Sequence, residues 1–162
     1  MKCKEEELDD LYFSDNISDI IKFYYCFDDV TDLIKWSRSR PSAEINIYEK
    51  EGNSEIVFII PTPDIKNNIT ENLTKSLSKY HIIYAESKGR YFNYAKSINR
   101  TIKEALKYSP KWLIISNNDI IIEDNIDKLY AQLLALDNKK IDAVIGAGGP
   151  FMFKLCKFNA LY

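Results

Sequence analysis

Three short apolar runs, each followed by a polar cluster and a stretch of helical periodicity, constrain the fold of this chain most strongly. The runs are Ile56–Ile60, His81–Ala85 and Lys111–Ser116. Such runs, rich in β-branched and aromatic residues, are typical of strands that are covered on both faces. A further strand is predicted at Ala143–Gly146.

Between these runs, apolar residues recur at three- and four-residue steps, which predicts helices. The predicted helices span about 66–78, 92–107 and 124–136. Alternating strands and helices are typical of a parallel α/β sheet with right-handed crossovers. We therefore expect an α/β fold in three layers around a mostly parallel sheet.

The N-terminal part of the chain has a different pattern, so we divide the sequence into a helical extension, 1–43, and an α/β domain, 44–162. The first sixteen residues are acidic and without a clear period, and we expect them to be peripheral. Helical spacing over residues 18–40 predicts one or two short helices that end before Pro41. Aromatic residues expected to pack in the core are Tyr24, Tyr25, Trp36 and Trp112.

Composition excludes several classes of function. The 162 residues include 22 Lys and Arg against 24 Asp and Glu, a net charge of −2, so no nucleic-acid partner is expected. The sequence has no apolar run near the roughly 20 residues of a membrane-spanning helix. The acidic start is unlike a signal peptide, which predicts a cytoplasmic protein.

The three cysteines, Cys3, Cys26 and Cys156, are widely spaced and form no C-x-x-C pair. This spacing predicts reduced thiols rather than a disulfide or a zinc site.

Polar clusters follow the three apolar runs at the predicted strand ends. The clusters are Pro61–Asp64, Glu86–Arg90 and Asn117–Asp119. Ligands of open α/β sheets bind beyond the carboxyl ends of the strands, so these clusters could hold a base, a ribose and a diphosphate. The sequence contains no P-loop and no G-x-G-x-x-G after a strand. With one histidine, a Ser-His-Asp triad is not expected.

The third cluster is the candidate metal site. A carboxylate at a strand end, Asp119, suits a hard divalent cation that also bridges a diphosphate. Asn117 and Asn118 can hydrogen-bond a ribose hydroxyl or a metal-bound water. The structural alternative is that Asp119 belongs to an ordinary turn or helix cap.

At Glu55–Gly149 the sequence resembles the family 2 inverting glycosyltransferases of the GT-A fold. Ile56–Thr62 is similar to the opening strand and Pro-Thr turn of that family. Gly89–Ala95 with Asn99–Ile102 resembles its Gly-x-Phe-Asn-x-Ala … Asn-x-Gly-Ile segment, and Trp112–Asp119 resembles the strand that ends in the D-x-D motif.

The resemblance implies a nucleotide-diphosphate sugar donor, bound Mg²⁺ or Mn²⁺ and a hydroxyl acceptor of unknown identity. It implies that Asp119 holds the metal, that Glu86 contacts the base, and that Asn117 lies near the ribose. The implied donor-binding residues are Pro61, Thr62, Asp64, Glu86, Asn93, Asn117 and Asn118.

The sequence also departs from the family pattern. Asn117 occupies the first position of D-x-D, and Thr101 stands where glycine is usual. Only 43 residues follow Asp119, and Phe151–Tyr162 contains no Asp or Glu, so no catalytic base is predicted. Two alternatives stay open: a nucleotide-sugar-binding domain without turnover, and a non-enzymatic α/β interaction module. The apolar end of the chain suggests a homo-oligomer.

Overall fold

The structure, a computed structural model, describes residues 3–122 and 125–139. The elements described, in chain order, are α1 (Glu5–Tyr12), α2 (Ile17–Tyr25), α3 (Val30–Ser39), β1 (Asn46–Lys50), β2 (Asn53–Thr62), α4 (Asn68–Ser76), β3 (Tyr80–Glu86), α5 (Tyr94–Ala105), β4 (Trp112–Ile115) and α6 (Ile126–Asp137). A 3₁₀ turn, Leu106–Tyr108, extends α5. The predicted strand at Ala143–Gly146 lies outside the described residues.

The described sheet has four strands in the order β1-β3-β2-β4. β2 pairs in parallel with β3 on one side, where Phe58 lies opposite Ile82, and with β4 on the other. β1 pairs antiparallel with β3 and covers its outer edge. The α/β class is therefore confirmed, but the sheet is mixed, and the expectation of a mostly parallel sheet is not confirmed.

Alternation along β2 explains why helices cover both faces of the sheet. Successive strand residues point to opposite faces. Ile56, Phe58 and Ile60 pack with residues of α4 and with Leu133 of α6. Residues of the opposite face, among them Ile59, pack with α5. The continuous apolar run thus contributes to two cores, one on each side of the sheet.

The expectation that the first sixteen residues are peripheral is wrong for α1. Leu8 is fully buried and Leu11 is almost so. They pack against α2 and α3 in a separate core of buried residues, comprising Leu8, Leu11, Phe23, Cys26, Phe27 and Trp36. The two leucines lie three residues apart and therefore share one face of α1. Two apolar residues among acidic neighbours form too short a pattern to predict a buried helix from the sequence.

The expectation of three reduced thiols is wrong for two of the cysteines. Cys3 and Cys26 form a disulfide that joins the chain just before α1 to the end of α2. Disulfides persist mainly in oxidising compartments, so this bond gives no support to the cytoplasmic expectation. Cys156 lies outside the described residues.

The burial of the predicted core aromatics is uneven. Trp36 is buried, and Trp112 packs against the core of the sheet, as expected. Tyr24 and Tyr25 are exposed, which contradicts the prediction, because α2 turns Phe23 inward instead. No helix of the described part of the chain is long and apolar enough to cross a membrane.

Candidate functional site

The order of the strands brings the predicted polar clusters together. The chain steps from β2 to β3 on one side, then crosses to β4 on the other side of β2. The carboxyl ends of these three parallel strands therefore meet at one edge of the sheet, next to the point where the strand order reverses. Open α/β sheets bind their ligands at such a point.

A cleft of about 590 Å³ lies at this edge. Its lining comes from all three strand ends and from the start of α5. The lining residues are Pro61, Thr62, Pro63, Asp64, Ser87, Lys88, Gly89, Phe92, Tyr94, Asn117 and Asn118. The structure thus brings five of the predicted site residues into one cleft, namely Pro61, Thr62, Asp64, Asn117 and Asn118.

Thr62 is buried at the end of β2, where the turn begins. Its hydroxyl lies 3.0 Å from the carbonyl oxygen of Asp64 and 3.1 Å from the hydroxyl of Thr70. Asn118 Nδ2 donates to Thr70 Oγ1 at 3.1 Å. These hydrogen bonds connect the end of β4 to the first turn of α4. The Thr62 side chain therefore shapes the cleft, and its hydroxyl is already hydrogen-bonded within the protein.

Asn117 lines the cleft beside the start of α5. Its Oδ1 accepts a hydrogen bond from the Tyr94 hydroxyl at 3.2 Å, and both side chains are exposed. An exposed hydrogen bond of this kind can be exchanged for one to a ligand at little cost, because water already competes for both groups.

Three predicted site residues are not among those that line the cleft. Glu86 Oε1 accepts from the backbone N–H of Ile65 at 3.1 Å, so its carboxylate braces the turn after β2. Asn93 is the N-cap of α5 and accepts from the backbone N–H of Lys96 at 2.9 Å. Asp119 is exposed in the turn that follows β4.

The cleft also contains residues outside the set of implied donor-binding residues, although Ser87 and Gly89 belong to the predicted polar cluster Glu86–Arg90. Ser87 is 3% exposed, and its hydroxyl has no hydrogen-bond partner among the described residues. Gly89 has a positive φ of 87°, which favours glycine. Phe92 and Tyr94 expose 43% and 45% of their surface. Gly89 was a usable signal in the sequence, whereas the burial of Ser87 depends on tertiary packing.

The residues at this edge can be tested against the divalent cation that the resemblance implies. Within the described ranges, no three His, Cys, Asp or Glu side chains form a group that could hold a metal ion. Asp119 beyond β4 and the neighbouring amides offer hard oxygen ligands, which suit Mg²⁺ or Mn²⁺. The described residues thus show no preformed metal site, and Asp119 is a single exposed carboxylate beside the amides of Asn117 and Asn118.

A second hollow, of about 390 Å³, lies between β1, β3 and α4. Tyr84 and Thr74 line it, and their hydroxyls are 2.5 Å apart. Burial raises the pKa of the Tyr84 phenol above its usual value. The phenol therefore stays protonated and bonded to Thr74. In the part of the chain that the structure describes, this hollow has no cluster of strand-end polar groups like that of the cleft.

No family model, curated protein or solved structure matches this chain. Any function of the chain is therefore inferred from the geometry and chemistry of the cleft.

Proposed function

We propose that this chain is the donor-binding part of a GT-A-like, family 2-like glycosyltransferase that transfers a sugar from a nucleotide-diphosphate sugar to a hydroxyl acceptor. The observation that supports the proposal best is the cleft at the reversal of strand order, with polar groups from β2, β3 and β4 around it. A nucleotide is bound through polar contacts together with rings on which its base can stack, and the cleft offers both.

The lining suits the three parts of a nucleotide sugar. The exposed rings of Phe92 and Tyr94 offer faces on which a planar base can stack. The amides of Asn117 and Asn118 suit ribose hydroxyls, because an amide both donates and accepts. Among the described residues, Lys88 is the one cationic residue of the lining, and it suits a diphosphate.

A divalent cation held by Asp119 and the diphosphate would act as a Lewis acid on the leaving nucleoside diphosphate. The residues that line the cleft would position the donor around this cation. Asp64 is the one carboxylate-bearing residue of the cleft lining within the described ranges, and its Oδ1 accepts from the backbone N–H of Lys66 at 2.9 Å.

The single carboxylate of the described cleft lining, that of Asp64, favours a second candidate function, a nucleotide-sugar-binding domain without turnover. An inverting transfer needs a carboxylate base beside the acceptor hydroxyl. Among the described residues, the cleft lining offers only the Asp64 carboxylate for this role, and one of its oxygens already accepts a hydrogen bond within its own turn.

Titration of the purified chain with UDP, GDP and dTDP, with and without Mn²⁺, tests the proposal. We expect one of them to bind, with Mn²⁺ increasing the affinity. Asp119→Ala should remove the Mn²⁺ effect and weaken binding at least about tenfold. Asp137→Ala, an exposed aspartate at the end of α6, is the matched control and should bind like the wild type.

Absence of binding for all three nucleotides would contradict the proposal, as would equal affinities of Asp119→Ala and Asp137→Ala. Release or transfer of the sugar from a bound donor distinguishes the two candidates. Turnover supports the transferase, whereas metal-dependent binding without turnover supports the binding domain.

A further inference from the structure

The segment Lys88–Phe92, which we call the cleft loop, joins β3 to α5 and has two sides. Lys88, Gly89 and Phe92 line the cleft. Arg90 and Tyr91 contact the N-terminal helical unit, residues 3–43. The same short loop therefore connects the candidate binding site to helices that are distant in sequence.

A carboxylate of α1 holds the outer side of the cleft loop. Asp9 Oδ2 accepts from the Tyr91 hydroxyl at 2.8 Å, over a separation of 82 residues. Asp9 Oδ1 accepts from Arg40 Nε at 3.0 Å. The adjacent Asp10 forms an ion pair with Arg90 at 2.8 Å, but this pair is much more exposed. Asp9 thus links the loop to the end of α3.

Aromatic packing reinforces the contact. The guanidinium of Arg40 lies 4.6–5.6 Å from four ring centroids, those of Tyr12, Phe13, Trp36 and Tyr91. Cation–π contacts at these distances are favourable, and the charge of Arg40 is balanced by Asp9. The carbonyl oxygen of Tyr91 also accepts from the backbone N–H of Ala43 at 3.1 Å. Tyr91 is therefore held at both its ring and its backbone.

The cleft loop has little regular structure of its own. β3 ends at Glu86 and α5 begins at Tyr94. Within the loop, the Phe92 N–H donates to the Gly89 carbonyl oxygen at 3.1 Å, a single turn at a glycine with positive φ. Such a segment depends on contacts with neighbouring elements for its order, and the N-terminal helical unit supplies these contacts.

We propose that Asp9 is a positioning residue for the cleft: by holding Tyr91, it fixes the cleft loop so that Lys88 and Phe92 face the ligand. The N-terminal helical unit is then an integral part of the binding site. The effect on ligand binding rests on the proposed function, but the order of the loop can be measured without a ligand.

The hydrogen bond to Asp9 raises the pKa of the Tyr91 phenol above its usual value. The phenol therefore stays protonated, and able to donate to Asp9, throughout the neutral range.

Hydrogen exchange of the free protein, read by mass spectrometry over residues 88–93, tests the inference. The main variant is Tyr91→Phe, which removes the hydroxyl and keeps the ring among its neighbours. We expect exchange in this segment to accelerate about five- to tenfold, and UDP–Mn²⁺ to bind weaker by a similar factor. Asp9→Ala should accelerate exchange at least as much, and Asp15→Ala, an exposed aspartate of the same unit, should not.

Exchange in residues 80–86 of β3 serves as the internal reference, because a general loss of stability would accelerate it too. Unchanged exchange at 88–93 in Tyr91→Phe overturns the inference, and so does equal acceleration in β3. If the loop exchange responds as expected but the wild type binds no nucleotide, the positioning role stands and the proposed function fails.

Discussion

The N-terminal helical unit and the sheet are stabilised in different ways. The sheet buries continuous apolar strands, with Val57, Ile59 and Ile83 fully removed from solvent. The helical unit has a small aromatic core and adds a disulfide and a guanidinium enclosed by rings. Units of about 40 residues bury too little apolar surface to be stable alone, so they require cross-links or a partner surface. Here the unit has both, since it also packs on the cleft loop.

The largest effect is expected from a cavity in the sheet core. Ile59→Ala, at a fully buried position between α5 and the strands, should lower the free energy of unfolding by about 3 kcal/mol. Urea unfolding followed by circular dichroism measures the loss. The control is Ile115→Ala on β4, the residue that pairs with Ile59 and is 49% exposed. It should cost less than about 1 kcal/mol, and equal losses would show that Ile59 is not a core residue.

The next effect concerns the helical unit and its disulfide. Cys3 and Cys26 are 23 residues apart, and a cross-link of that span stabilises by about 3 kcal/mol in the chain-entropy model. Trp36 fluorescence, in a Trp112→Phe background, should report urea unfolding at a lower midpoint when a reducing agent is present.

A Cys3→Ser variant controls for other effects of the reductant, since its midpoint should not change on reduction. A wild-type midpoint that is insensitive to the reductant would contradict the idea that this unit depends on its cross-link.

The smallest effect is a pH dependence at the start of α3. Asp29 Oδ1 accepts from the backbone N–H groups of Thr31 at 2.6 Å and Asp32 at 3.1 Å. These bonds, that to Asp32 first, hold the pKa of Asp29 below its usual value. A lowered pKa in the folded state contributes stability above the unfolded pKa of about 3.9, and this is lost as the pH falls through the folded pKa.

The Trp36 unfolding midpoint should therefore fall more steeply in the wild type than in Asp29→Asn between about pH 5 and pH 2. Asparagine keeps the cap but does not titrate. Parallel pH profiles of the two proteins would exclude Asp29 as a contributor. The sheet, by contrast, should show no difference between the two variants in this interval.

Much of the sheet could be predicted from periodicity. The predicted strands at Ile56–Ile60, His81–Ala85 and Lys111–Ser116 correspond to β2, β3 and β4, and the helices between them correspond to α4 and α5. These elements have long and consistent local patterns. No local sequence pattern predicts the antiparallel pairing of β1, because a strand pairs with whichever edge of the sheet is free.

The candidate site was predicted in part for the same reason. The end of each strand could be located, so five predicted residues lie in the cleft. Glu86 and Asn93 have the expected positions along the chain, but their side chains bond to nearby backbone, a choice that depends on atomic geometry. Whether any of these residues binds a donor stays a prediction.

The sequence by itself determined the α/β class and the location of the polar strand ends, because both follow from the side-chain pattern of consecutive residues. Tertiary structure alone decided the order of the strands, the Cys3–Cys26 bond and the contact of Asp9 with Tyr91. These features join residues that are far apart in sequence, and which distant pairs meet is decided by the packing of the whole chain, which no local pattern encodes.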